Sequence, residues 1–158
     1  MEFLESLQNS AFGMWVAGAP TIWAYPTMLV LHAVGMAMAV GASAVLDLKL
    51  LGAAPHVPLV ELKNVFRPLW IGFVINAASG VALFAAAAAD TGIKPVFYIK
   101  LSLIALALLT AGRIRRVVFG NQAAPDAPIP QQVKILAAAS LVLWTGAIVA
   151  GRMMAYIH

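Results

Sequence analysis

An imidazole lies deep in an apolar run. His32 falls about ten residues into the segment from Ile22 to Leu46. Hydrocarbon makes an ionisable side chain costly unless something bonds it, so such a residue marks a functional site by default. Steps of three and four along a helix put Tyr25, Met28, His32, Gly35, Met36, Ala39 and Ser43 on one face. That face offers an imidazole with a thioether one turn to either side, a pairing that suits haem iron or copper(I). The plain alternative is a histidine hydrogen-bonded to a neighbouring helix, with methionines as gap fillers.

Two cations bear on the choice. Lys100 and Arg152 each fall five or six residues inside the outer end of an apolar segment. At ~1.5 Å per residue that is ~8 Å below the surface, against ~15 Å for His32. A haem held edge-on by His32 would bring its propionates to that level, where Lys100 and Arg152 could pair with them. Snorkelling of both side chains to the interface is the competing expectation. Asn76 is expected near mid-depth, within reach of His32, where it could fix the imidazole tautomer. With Gly72 and Gly80 at steps of four it also makes a small-residue face for helix packing. His56 and His158 fall at other levels, so a bis-histidine site within one chain is not expected.

The elements that must position these residues are four apolar segments, at about 22–46, 69–89, 95–112 and 135–157. Each approaches the roughly twenty residues needed to cross a bilayer. Composition agrees: 63% of the 158 residues are apolar and 10% charged, far from the balance of a soluble domain. The expected fold is all-α, an integral membrane four-helix bundle forming one domain. Residues 2–17 read as an amphipathic helix lying in the membrane interface. Phe3, Leu7, Ala11, Met14 and Trp15 would be its apolar face. Glu2 and Glu5, with no Lys or Arg before the apolar run, argue against a signal peptide.

Loop charges orient the bundle. Lys49, Lys63 and Arg67 follow the first segment, and Arg113, Arg115, Arg116 and Lys134 lie between the third and fourth. The N-terminal stretch has no Lys or Arg, and the second connection has only Lys94. Both termini are therefore expected outside, with loops 47–68 and 113–134 cytoplasmic. Asp47 reads as a solvated charge closing the first segment, and no carboxylate is expected inside a span.

Several function classes drop out. The absence of cysteine excludes disulfides, thiolate metal sites and covalent haem attachment. No triad, paired carboxylate or phosphate loop is present, so no catalytic constellation marks an enzyme. No basic patch interleaved with aromatics points to nucleic acid.

The runs YPTMLVLHAVGMAMAVGASAVLDLKLLG, KPVFYIKLSLIALALL and AAASLVLWTGAIVAGRMMAYI resemble a family of small bacterial four-helix inner-membrane proteins. That resemblance implies four membrane helices with the histidine in the first, and brings no activity with it. The LHAVG stretch at Leu31–Gly35 is similar, more loosely, to the first helix of CopD-like and HemJ-like membrane proteins. The latter implies haem binding and the former copper handling. Their further functional histidines have no match in the later segments here.

The leading expectation is a membrane protein that binds b-type haem through His32 and acts in electron transfer within a larger redox assembly. Tyr25, Met28, Met36 and Asn76 would line the pocket. The alternatives are copper handling by His32 with Met28 and Met36, and a cofactor-free scaffold that packs against partners or copies of itself.

Overall fold

The computed structural model describes residues 2–53, 56–120 and 129–156. The protein is all-α, with no strand among the described residues. Its elements are α1 (Glu2–Gln8), α2 (Ala11–Gly18), α3 (Tyr25–Leu50), a 3-10 turn (Leu59–Val65), α4 (Phe66–Ala86), α5 (Ala88–Thr91), α6 (Pro95–Phe119) and α7 (Gln131–Met153). Helices α3, α4, α6 and α7 are long and apolar enough to cross a membrane.

Each long helix starts and stops for a local reason. Pro26 and Pro95 occupy first-turn positions, where the missing N–H is no loss, and α7 starts directly after Pro130. The expected first segment began at Ile22, but Ile22–Ala24 form a turn. The Thr27 hydroxyl donates to the Ile22 carbonyl at 2.6 Å there. At its other end α3 runs past residue 46, because Leu46, Asp47 and Leu50 are all buried. Helix α4 stops at Ala86, short of residue 89, where Ala87 leaves helical geometry at φ −140. Helix α6 continues past 112 through Arg113, Arg115 and Arg116. Arginine is a good helix former, and Ile114 packs into the core from the same turn. Helix α7 spans Gln131–Met153, against 135–157 expected, with residue 157 outside the described residues.

Antiparallel α3 and α4 make the tightest pair. A Cβ on Gly35 would lie 2.5 Å from the Asn76 amide nitrogen, and one on Gly72 would lie 2.6 Å from the Ala39 nitrogen. The two glycines let the backbones meet, the small-residue contact on which membrane helices rely. Helix α6 pairs with α7, and α7 closes on α3. At the end carrying Lys63, Arg67 and Arg113–Arg116, hereafter the basic end, a cluster of Leu46, Leu50, Leu69, Ala111, Ile114 and Val133 joins all four helices. Phe66 stands edge-on to Phe119 there, under the Arg115 guanidinium. At the opposite end Phe84 of α4 stacks on Phe97 of α6 at 5.0 Å. The middle is filled by Ala39, Ile104, Ala107, Trp144 and Ala147.

The N-terminal stretch is two helices rather than one. Ser10 breaks it: its hydroxyl donates to the Leu7 carbonyl at 2.6 Å and accepts from the Gly13 amide at 3.1 Å, capping α2. The packed face also differs from expectation. Gly13 and Val16 are buried against α4, while Phe3, Met14 and Trp15 are exposed. Gly13 sits so close that a Cβ there would be 2.9 Å from the Ala85 carbonyl oxygen. In α1, Gln8 accepts from the Ala89 amide at 2.8 Å, which ties the chain start to α5.

Candidate functional site

His32 faces the α3–α4–α6 interior and both of its ring nitrogens have neighbours. Nδ1 lies 2.9 Å from the backbone carbonyl oxygen of Asn76. A carbonyl can only accept, so Nδ1 carries the hydrogen and the Nε2 lone pair is left facing the bundle. Asn76 was expected to orient the ring through its amide. The structure uses the opposite atoms: the Asn76 side chain donates to the His32 backbone carbonyl at 2.7 Å, while its own carbonyl holds the ring. The pair of bonds runs both ways across the glycine contact, with Asn76 buried and His32 half-buried, so it fixes register as well as tautomer.

Two residues not singled out for the site complete the clamp. Ser79 donates to the Ile75 carbonyl at 2.6 Å, and its oxygen lies 3.4 Å from Nδ1. Gly80 floors the ring: a Cβ there would stand 3.1 Å from the His32 Cε1. Both lie one turn from Asn76 on the same face of α4, which was the available signal.

Lys100 reaches inward from α6. Its Nζ is 3.5 Å from the His32 Nε2, and its stem runs beside Gly151, where a Cβ would sit 3.4 Å from Cε. The ammonium thus faces the imidazole lone pair. Arg152 does not join it. Its guanidinium is exposed, 3.2 Å from the Tyr156 hydroxyl, and stacks over that ring. Met28 turns to Val16, Ala82 and Ala86, so it fills the seam under α2. Met36 is half-buried and Tyr25 is exposed. His56 is exposed beyond the basic end of α3, and His158 lies outside the described residues. Of the seven residues expected at the site, His32, Asn76 and Lys100 are the ones brought into mutual contact.

The basic half of the bundle holds a second polar cluster. Asp47, expected as a solvated charge after the first span, is inside α3 and 1% exposed. The Ser43 hydroxyl donates to its Oδ2 at 3.1 Å, and the Ser140 hydroxyl of α7 lies 3.2 Å from that of Ser43. A carboxyl therefore does lie within a membrane-length helix. No group of three or more histidine, aspartate or glutamate side chains converges among the described residues.

No protein-family model matches the chain, and no curated protein or solved structure matches it.

Proposed function

We propose that this is a multi-pass membrane protein that holds a b-type haem through His32 and serves electron transfer in a larger redox assembly. One observation carries the reading: the Nδ1–H of His32 is spent on a backbone carbonyl, which leaves the lone pair on Nε2, turned to the bundle interior where Lys100 faces it at 3.5 Å. Histidines that ligate metals are oriented in this way. Copper is the weaker alternative, because Met28 is turned away into the α2 seam. In this reading His32 Nε2 would hold the iron, Asn76 and Ser79 would orient the imidazole, and Lys100 would pair with a propionate. When bound, the haem supplies a one-electron couple at ~15 Å depth.

Protein purified from haem-replete cells is expected to show a Soret band that His32→Ala abolishes and Asn76→Leu retains. A colourless intact preparation sinks the reading. A second reading then takes over, supported by the Lys100 contact at 3.5 Å: a cofactor-free scaffold in which the Lys100–His32 pair ties α6 to α3.

We further propose the bacterial inner membrane as the location, with the basic end cytoplasmic and both termini outside. The exposed apolar faces of the four long helices suit contact with lipid. A redox subunit or a second copy of the chain would be its protein partner.

A further inference from the structure

We propose that Asp47 is a proton-binding site, loaded from water at the basic end of the bundle. The inference stands on the geometry of one carboxyl and does not rest on the haem reading. Ser43 has a single hydroxyl hydrogen. Given to Asp47 Oδ2, it leaves the Ser43 oxygen as an acceptor, and the Ser140 hydroxyl donates to that oxygen or to Asp47 itself. The chain of donors ends on Oδ2. The other oxygen, Oδ1, is buried and has no hydrogen-bond partner among the described residues.

The surroundings give Oδ1 nothing in return. The neighbouring core is Leu46, Leu50, Leu69, Ile114 and Val133. A carboxylate left there, with the Ser43 and Ser140 hydroxyls beside it and no described group bonded to Oδ1, would be poorly compensated. The charged groups at the basic end of the elements around it are Lys49 of α3, Glu61 and Lys63 of the 3-10 turn, and Arg67 of α4. Arg113, Arg115 and Arg116 belong to α6 and Lys134 to α7. All but Lys49 are solvent-exposed, and Lys49 has a contact of its own. A proton is the smallest ligand that neutralises the group, and it needs none of the several oxygen ligands a metal cation demands.

The step is simple. A lone pair on Oδ1 takes a proton from water and later returns it, with no other bond made or broken. Asp47 lies one turn from the C-terminus of α3 at Leu50, so the route to water is short on that side. It lies ~22 Å along the helix from His32, so the two sites are separate.

Infrared difference spectroscopy of the full chain in lipid, at neutral pH and with H/D exchange, tests this. The wild type is expected to show a carboxylic C=O stretch that Asp47→Asn removes completely and that shifts on exchange into heavy water. Ser43→Ala, which keeps the carboxyl but removes its donor, is expected to keep the band at an altered frequency. This arm still decides the matter if the Asp47 variant fails to fold. No such band in the wild type, a band that survives Asp47→Asn, or a band unmoved by Ser43→Ala overturns the proposal. The same spectra of His32→Ala protein are expected to be unchanged in this region, which separates this inference from the haem reading.

Discussion

At the scale of single residues, the imidazole of His32 is held by backbone rather than by side chains. This makes an unusual prediction. Asn76→Leu deletes the amide bond to the His32 carbonyl but leaves the Asn76 carbonyl that takes Nδ1–H. It should cost about 0.6–2 kcal/mol of helix association, by unfolding in mixed detergent, and leave the ring in place. Gly80→Ala should do the reverse. The added methyl meets the ring at 3.1 Å, so the imidazole must move while overall stability changes little. A shifted His32 ring resonance, with a near-wild-type denaturation midpoint, is the expected outcome. His32 stood out because hydrocarbon has no use for an imidazole, and Lys100 because it falls inside an apolar segment. The direction of Lys100 was not legible, since a long flexible stem can turn either way and the space beside Gly151 decides it. Asp47 was misread because a charge after an apolar run resembles a helix end. Its burial depends on Ser140, which comes from another helix and lies 97 positions beyond its partner Ser43.

At the scale of elements, the α3–α4 contact is the least forgiving part of the structure. Gly35→Leu or Gly72→Leu forces apart backbones that now meet, and overpacking of this kind costs typically about 1–3 kcal/mol or more. Because the same contact sets the register of Asn76 against His32, either change should also erase any spectral signature of bound haem. Loss of stability with an unaltered signature would show that the site does not depend on that register. The four long helices were evident from hydropathy, which reports length and apolarity. Their ends were displaced by several residues, since termini follow prolines, caps and burial. Helix α6 shows why: Arg113, Arg115 and Arg116 look like loop, but Ile114 and Phe119 on the same turns pack into the core and onto Phe66. The split at Ser10 follows from a side-chain cap inside a segment that reads as one amphipathic helix.

At the scale of the whole molecule, charge is distributed along the bundle axis. Lys63, Arg67, Arg113, Arg115, Arg116 and Lys134 gather at one end and are exposed. The chain has no cysteine, so a single introduced thiol reports topology without background. Asn64→Cys is expected to resist an impermeant maleimide added to intact cells, and Glu2→Cys to react. The opposite pattern reverses the proposed orientation without touching the fold. Two polar sites then stand at different depths in one apolar bundle, His32–Lys100 in one half and Asp47 in the other.

The seat of α2 has a consequence for assembly. Gly13 and Val16 leave the ribosome before the alanines they dock against, Ala82, Ala85 and Ala86, which are translated only as α4 is completed. Until then α1 and α2 have only the start of α3 to rest on, through Met28. They must wait at the membrane face while two spans are laid down beside them, and Gln8 can find its Ala89 partner only after the second of these has crossed.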